Sequence, residues 1–141
     1  MFIIKDLEVA TSEFFSEYCR KEKFGEFPEW SNKWTFKGTL PYNNEKGCYA
    51  HLNKKDEVIY VGLGISNSNQ GSGIGSRVSK YWTSTNEYVD SEKLYKSADD
   101  NVTSIVTIPF KDDTFYLAPA LETYLIQKLT PTKNRIHSSG N

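Results

Sequence analysis

The chain of 141 residues contains 38% hydrophobic and 25% charged residues, and its formal charge is −1. This length suits one domain with a hydrophobic core, and the composition excludes a largely disordered protein. The near-neutral charge argues against a protein that holds nucleic acid by bulk electrostatics, because phosphate binding draws on clustered lysine and arginine residues.

The charges are nevertheless unevenly distributed along the chain. No acidic residue occurs between Glu57 and Glu87, whereas Arg77 and Lys80 lie in that interval. After Glu122 the remaining charged residues are all basic: Lys128, Lys133 and Arg135. We therefore predict a local basic face on a neutral protein.

The cysteines and histidines form neither a zinc motif nor a disulfide framework. Cys19 is far from Cys48 and His51 is far from His137, so we expect both thiols to be reduced and buried. The first residues lack the apolar core of a signal peptide, and no apolar run reaches about 18 residues. These features predict a cytoplasmic protein without a membrane span, with export lacking a signal peptide as the alternative.

The amino-terminal part carries two predicted elements. Apolar residues between 8 and 21 recur at helical spacing and predict a helix capped by Thr11 or Ser12. The segment from Phe24 to Tyr42 is rich in aromatic residues, which favours a lid packed over an edge of the core. Rings that stack on nucleic-acid bases are the alternative. We expect residues 1–46 to form an extension packed on the core.

Two runs rich in β-branched and aromatic residues follow, Cys48–Leu52 and Val58–Gly62. The polar residues between them predict a β-hairpin. Pairing would place Tyr49 near Tyr60, with His51 on the same face of its strand as Tyr49.

A loop and a helix are predicted next. Residues 65–75 match neither nucleotide-binding glycine signature, so they predict a flexible loop rather than a phosphate cradle. We interpret this loop as a candidate DNA-contacting insertion. The following helix, from about Gly75 to Trp82, would present Arg77 and Tyr81 on one face.

The last third of the chain predicts a helix, a strand and a helix. Residues 87–100 predict a short helix plus a connector, and Val102–Phe110 is β-prone and predicts a third strand. A final helix is expected between Pro119 and Pro131. Its core stripe would contain Leu117, Leu121, Tyr124 and Leu125. Residues 137–141 predict a frayed tail.

Two tripeptides mark the predicted hairpin, Gly47-Cys48-Tyr49 and Tyr60-Val61-Gly62. Arg77 and Glu122 follow on predicted helices, and Pro131 and Asn134 end the series. This order resembles the GIY-YIG nuclease superfamily, most closely the nuclease module of bacterial nucleotide-excision endonucleases. The resemblance covers residues 47 to about 134 and leaves the first 46 residues unexplained.

The resemblance implies a fold and an activity. The fold would be a small α/β (α+β) domain with a three-stranded antiparallel sheet flanked by helices, extended here by the amino-terminal helix and aromatic segment. Its core would span residues 47–136. The activity would be divalent-metal-dependent endonucleolytic cleavage of DNA, with RNA as the less favoured substrate.

The resemblance also implies roles for individual residues. Glu122 would bind one Mg²⁺ or Mn²⁺ ion, since a lone carboxylate with water-rich coordination suits magnesium better than zinc. Arg77 would bind the scissile phosphate through its planar, charged guanidinium. Tyr49 would take the proton of the attacking water or orient that water, and Tyr60 would support Tyr49 through a hydrogen bond.

Tyr49 poses a chemical difficulty, because an ordinary phenol has a pKa of ~10 and is a poor base at neutral pH. A neighbouring cation or the metal would have to lower that pKa. His51 is a candidate proton relay that the resemblance does not cover. Four residues are expected on the nucleic-acid side, with the last also tying the end of the final helix: Lys80, Tyr81, Lys133 and Asn134. Gly47 and Gly62 would permit close backbone approach.

Each of these residues also has an ordinary structural explanation. Strand tyrosines commonly pair across a sheet, exposed arginines are commonly solvated, and a histidine such as His51 is more often a satisfied structural residue than a relay. The joint order of the residues favours the nuclease interpretation. The rival hypothesis is a catalytically silent, nuclease-like module that binds nucleic acid or a protein partner, such as an inhibitor.

Overall fold

The structure is a computed structural model that describes residues 1–68 and 71–134, and the chain has an α+β fold. The predicted tail, residues 137–141, lies outside the described residues. The helices and strands are, in chain order, α1 Ile4–Tyr18, α2 Lys21–Phe24, β1 Lys46–Leu52, β2 Val58–Gly64, β3 Asn67–Ser68, β4 Gly71–Ser72, α3 Gly73–Val78, β5 Trp82–Val89, β6 Glu92–Ser97, β7 Ser104–Phe110 and α4 Ala118–Leu129. The described residues also form two 3-10 turns, Ser79–Tyr81 and Phe115–Leu117.

The central element is a three-stranded antiparallel sheet with the strand order β2-β1-β7. This confirms the predicted hairpin and the predicted third strand. Side chains of a strand alternate between its two faces. Cys48, Ala50 and Leu52 therefore face the core formed with α1 and α4, whereas Tyr49 packs in a second cluster on the opposite face.

The helices α1 and α4 cover the first face of the sheet. Leu121 and Leu125 of α4 are fully buried, as the predicted core stripe requires. Helix α1 begins earlier than predicted, because the Asp6 carboxylate accepts the backbone N–H of Ile3 and stabilises the first turn. The predicted cap at Thr11 or Ser12 is wrong, and the Thr11 hydroxyl instead donates to the Leu7 carbonyl inside the helix.

Both outer edges of the sheet are covered by other parts of the chain. Trp34 and Ile105 exchange backbone hydrogen bonds along β7. On the other side, the backbone N–H of Lys133 donates to the Ile59 carbonyl of β2. Covered edges protect a sheet from pairing with other chains. Because Trp34 and Phe36 are buried, the aromatic segment packs as the lid interpretation predicted.

The segment predicted as a short helix plus a connector is instead a β-hairpin. Strands β5 and β6 pair antiparallel, and Asp90 and Ser91 form the turn with positive φ angles of 53° and 67°. Two positive φ values in a two-residue loop match the right-handed twist of the paired strands. Trp82 anchors the hairpin, since its ring centre lies 4.9 Å from that of Trp34.

Both cysteines are free, and only Cys48 is buried, so the expectation of two buried thiols holds for Cys48 and not for Cys19. Within the described residues, no helix is both long enough and apolar enough to cross a membrane.

Candidate active site

Strands β1 and β2 bring the two signature tyrosines together. Their register places Tyr49 opposite Gly62 and His51 opposite Tyr60, so the three rings share one face. The ring centres of Tyr49 and Tyr60 are 6.1 Å apart, and that of His51 lies 5.1 Å from Tyr60. The predicted proximity of Tyr49, His51 and Tyr60 is confirmed.

A third tyrosine joins them from the turn after α3. The Tyr81 ring meets the His51 ring edge-on, with centres 4.4 Å apart. The Tyr49 hydroxyl donates to the Tyr81 hydroxyl over 3.4 Å. Tyr49, His51, Tyr60 and Tyr81 are called the tyrosine–histidine cluster below. Tyr81, expected as a nucleic-acid contact, is therefore a half-buried member of this cluster.

Two glycines permit the close packing around Tyr49. A Cβ atom on Gly62 would collide with the end of the Tyr49 phenol, so the ring rests directly on the β2 backbone. A Cβ atom on Gly47 would collide with the carbonyl oxygen of Ile108 on β7. Both glycines thus serve close backbone approach, as expected.

Arg77 lies in the last turn of α3 and is exposed. Among the described residues its side chain forms no hydrogen bond and no ion pair, so the guanidinium is available to an anion. The prediction of one continuous helix through Arg77 and Tyr81 is wrong, because α3 ends at Val78 and a 3-10 turn follows. Lys80 in that turn is exposed, with its ammonium 5.3 Å from the centre of the Tyr81 ring.

Glu122 projects from α4 and is partly buried. Burial is the main cause that raises the pKa of Tyr60, and the charge of Glu122 is the smallest of the causes. Burial first, and then the same charge, raise the pKa of Cys48 on the apolar face of β1. No group of three histidine, cysteine, aspartate or glutamate side chains within residues 1–68 and 71–134 could hold a metal ion. A lone carboxylate completed by water fits magnesium or manganese and does not fit zinc, which takes three or four protein ligands.

The two β-strand phenols are poor bases in this environment. Burial is the main cause that raises the pKa of Tyr49, and the hydrogen bond with Tyr81 raises it further. Burial likewise raises the pKa of Tyr60 to about 12. The sequence analysis required a neighbour that lowers the pKa of Tyr49, and the surrounding side chains have the opposite effect.

His51 is the group in the cluster that stays unprotonated at neutral pH. Burial lowers the pKa of His51 to about 4, while the charge of Asp99 opposes this change and that of Lys133 adds to it. The ring is 2% exposed, and within the described structure its Nε2 atom has no hydrogen-bond partner. His51 is therefore a buried, neutral base.

Lys133 and Asn134 differ from their expected roles as nucleic-acid contacts. Lys133 is exposed and pairs with the carboxylate of Asp99. Asn134 is buried, and its amide binds the Val61 backbone twice, with Oδ1 accepting from the N–H at 2.9 Å and Nδ2 donating to the carbonyl at 3.0 Å. Through these two bonds the buried amide of Asn134 ties the end of the described chain to β2.

The loop before α3 does not form a phosphate cradle at the start of that helix. The backbone N–H of Ile74 donates to the Glu45 carbonyl, and that of Gly75 donates to the Asn43 carbonyl, both at 2.8 Å. These two N–H groups are the donors that an anion at a helix start would use. Both are occupied within the chain.

Asp99 is the residue near the cluster that sequence reasoning missed. It lies in the connection between β6 and β7, pairs with Lys133 and acts on the pKa of His51. No spacing in the sequence relates position 99 to positions 51 and 133. Only the fold brings them together.

No protein-family model matches the chain, and no curated protein sequence matches it. What the site can do is therefore inferred from its own residues.

Proposed function

We propose that the chain is a divalent-metal-dependent DNA endonuclease of the GIY-YIG type, which hydrolyses phosphodiester bonds. One observation supports this most directly. Tyr49, Tyr60 and Tyr81 reach one cluster from three separate elements. The two signature tyrosines are therefore neighbours in space, as a shared site requires.

Arg77 binds the scissile phosphate in this mechanism. Its guanidinium is exposed and forms no ion pair among the described residues, so none of their carboxylates competes for it. A planar cation that donates two parallel hydrogen bonds stabilises the extra charge of a phosphorane-like transition state. Lys80, exposed three residues further on, adds a second cation on the DNA side.

Glu122 would hold the divalent ion, Mg²⁺ or Mn²⁺. When bound, such an ion supplies positive charge to the reacting phosphate and lowers the pKa of coordinated water. Glu122 belongs to a rigid helix whose neighbours Leu121 and Leu125 are fully buried. The packed core therefore fixes the position of the helix backbone at Glu122.

Tyr49 and Tyr60 orient water in this mechanism. Their raised pKa values keep both phenols protonated at neutral pH, so each hydroxyl can donate one hydrogen bond and accept others. Of the two roles considered for Tyr49, orientation of the attacking water fits this protonation state and proton removal does not.

The test is cleavage of supercoiled plasmid DNA by the purified protein in the presence of Mg²⁺ or Mn²⁺. Arg77→Ala and Glu122→Ala are each expected to lower the single-turnover rate by at least about 100-fold. Circular dichroism and thermal unfolding would check that both variants fold. Matched controls are Arg20→Ala and Glu8→Ala, which remove exposed charges on or beside α1. Full activity of either site variant would contradict the assignment.

The second candidate function is a silent module that binds nucleic acid or a protein partner, such as an inhibitor. The raised pKa of Tyr49 favours it, because no described side chain prepares that phenol to remove a proton. Metal-dependent nicking by the wild-type protein separates the two candidates. DNA binding in a gel-shift assay without nicking, under either metal, would favour the silent module.

A further inference from the structure

Residues 34–38 connect the central sheet to the β5–β6 hairpin, and they are called the bridging segment below. At one end, the backbone of Trp34 exchanges hydrogen bonds with Ile105 on the outer edge of β7. Toward the other end, the carbonyl of Phe36 accepts the backbone N–H of Tyr95 on β6 over 2.8 Å. The same five residues therefore cover the edge of the central sheet and hold the hairpin.

The turn inside the bridging segment is strained. Phe36 has a φ angle of 68°, in the left-handed region that a bulky side chain rarely adopts. The ring is buried, and the hydrogen bond from Tyr95 fixes the carbonyl in this conformation. Strained backbone persists only where surrounding contacts impose it, and such positions concentrate at functional sites. A strained turn that connects two sheets therefore calls for a functional explanation.

The side chain of Trp34 packs on the base of the hairpin. Its ring centre lies 4.9 Å from that of Trp82 and 6.0 Å from that of Tyr95. The indole N–H of Trp34 donates to the Gly38 carbonyl over 3.2 Å, which fixes the orientation of the ring. Because Trp34 is 4% exposed, its neighbours leave it little room to move. The first residue of β5, Trp82, is thereby held against the bridging segment.

The hairpin in turn holds Tyr81. Among the members of the tyrosine–histidine cluster, Tyr81 is the one that does not come from the central sheet. It directly precedes Trp82, and its backbone carbonyl accepts the N–H of Ala98, the residue after β6, over 2.9 Å. The backbone of Tyr81 is thus attached to both ends of the hairpin, so its position depends on the bridging segment.

The contact that Tyr81 makes in the cluster is sensitive to small displacements. The Tyr49 hydroxyl donates to the Tyr81 hydroxyl over 3.4 Å, which is longer than the usual distance of about 2.8 Å between two hydroxyls. With its proton directed at Tyr81, the Tyr49 oxygen presents its lone pairs to water. A movement of Tyr81 away from Tyr49 by less than about 1 Å would break this bond and free the Tyr49 hydroxyl to rotate.

We propose that the bridging segment positions Tyr81 for catalysis, with Trp34 as a positioning residue that acts through Trp82. This inference rests on the proposed nuclease function and deepens it. Trp34 is buried and does not touch the substrate, so it is not a catalytic residue. The inference gives a role to part of residues 1–46, which the superfamily resemblance leaves unexplained.

A double-mutant cycle on the single-turnover rate of plasmid nicking with Mg²⁺ tests this route. Trp34→Leu removes the ring that holds Trp82 and should lower the rate at least about tenfold, since a misplacement of about 1 Å can cost about 100-fold. In a Tyr81→Phe background, which lacks the hydroxyl contact, the same substitution should lower the rate less than about twofold. Equal factors in both backgrounds, or a wild-type rate in Trp34→Leu, would overturn the proposal.

Two further variants keep the test decisive if Trp34→Leu folds poorly. Trp34→Phe keeps an aromatic ring against Trp82 and should retain the wild-type rate within about threefold. Trp82→Leu, at a half-buried position, breaks the same contact from the hairpin side and should behave in the cycle as Trp34→Leu does. Equal losses from Trp82→Leu with and without Tyr81→Phe would contradict the route through Tyr81.

The protein concentration that gives the half-maximal single-turnover rate separates catalysis from DNA binding. Arg77, the proposed phosphate ligand, lies on α3, which packs on β1 and β2. Trp34→Leu should therefore change this concentration less than about threefold while it lowers the maximal rate. A defect confined to DNA binding, with an unchanged maximal rate, would count against positioning of Tyr81.

Phe15→Leu is the matched control for loss of packing. The Phe15 ring is 2% exposed and stacks on Phe27 in the apolar core, away from the cluster face. This variant should lose stability and keep its rate per folded molecule within about twofold of the wild-type value. A loss of rate as large as that of Trp34→Leu would show that packing in general, and not the bridging segment, controls the rate.

Tyrosine signals provide a readout that does not depend on cleavage. The chain contains nine tyrosines, and after labelling with [¹³Cζ]tyrosine the signal missing in Tyr81→Phe belongs to Tyr81. The ¹³Cζ shift responds to hydrogen bonding of the hydroxyl, so Trp34→Leu should move the Tyr81 signal toward that of free tyrosine. Phe15→Leu should leave the signal in place. An unmoved Tyr81 signal in folded Trp34→Leu would overturn the inference.

The failures of the two proposals look different. Wild-type protein that cleaves DNA, together with equal factors in both backgrounds of the cycle, overturns the role of the bridging segment and leaves the nuclease. Wild-type protein that cleaves with neither Mg²⁺ nor Mn²⁺ overturns both.

Discussion

Alternate residues of β1 build two faces of different chemistry. Cys48, Ala50 and Leu52 lie in an apolar core under α1 and α4, where even the Cys48 thiol finds a partner in the Ala118 carbonyl at 3.3 Å. On the other face, Tyr49 and His51 are equally buried but polar, and the His51 Nε2 atom is unpaired. One strand thus supplies stability on one side and holds reactive groups at a cost in stability on the other.

The difference teaches where function resides in a small fold. Protein interiors pack closely and satisfy their polar atoms, and departures from this pattern mark sites retained for chemistry. Within residues 1–68 and 71–134, the departure is on the face that carries the signature tyrosines. The comparison predicts that substitutions on the apolar face change stability, whereas substitutions on the cluster face change activity more than stability.

Leu125→Ala gives the largest expected loss of stability. Leu125 is fully buried in the apolar core, so truncation leaves a cavity and should lower the free energy of unfolding by about 2–5 kcal/mol. Urea denaturation measures this loss, and the cleavage rate per folded molecule should stay near the wild-type value. Val9→Ala on the exposed side of α1 is the control, with an expected change within about 0.5 kcal/mol. A specific loss of cleavage in folded Leu125→Ala would break the comparison of the two faces.

His51→Phe should change the acid stability of the protein. The folded-state pKa of His51 is lowered to about 4, so between about pH 6.5 and pH 4 the unfolded chain binds a proton that the folded chain does not. Wild-type stability therefore falls as pH decreases through this window, by about 2–3 kcal/mol near pH 4.5. The phenylalanine variant lacks this loss and also removes an unpaired buried nitrogen.

Urea denaturation at about pH 7.5 and about pH 4.5 measures this difference between the two proteins. Acid-sensitive groups that do not interact with His51 are common to both proteins and cancel in the comparison. The Asp99 carboxylate, whose pKa is lowered mainly by its hydrogen bond with Lys133, also interacts with His51 and cancels only in part. Equal losses of stability on acidification in both proteins would show that His51 is not a buried neutral group.

The central sheet and the last helix were predictable because their own residues encode them. Strand runs such as Val58–Gly62 are β-branched, and α4 begins beside Pro119 and repeats its apolar residues at helical spacing. The proximity of Tyr49 and Tyr60 followed from antiparallel pairing alone. Local sequence was sufficient for these features.

Other features depended on contacts between distant residues. The hairpin β5–β6 is largely exposed and acidic near its tip, and it is held by Trp82 packing on Trp34. Asn134 was expected near nucleic acid, and its partner is the backbone of Val61, 73 positions earlier. Neither contact leaves a pattern in the local sequence, so only the folded chain reveals it.

Of the three substitutions, Gly62→Ala should have the smallest effect on the free energy of unfolding, and its effect should come from a single contact. An added Cβ would meet the end of the Tyr49 phenol, so the ring must move, at an expected cost of about 1–2 kcal/mol. In a Tyr49→Ala background the obstructing ring is absent, and the same substitution should be neutral or slightly stabilising, because alanine restricts the unfolded chain. The double-mutant cycle isolates the contact between these two positions. The movement of Tyr49 also disturbs its hydrogen bond with Tyr81. The Gly62→Ala variant should therefore lose a larger fraction of its cleavage rate than of its free energy of unfolding. Additive effects of the two substitutions on stability would mean that the phenol does not rest on the β2 backbone.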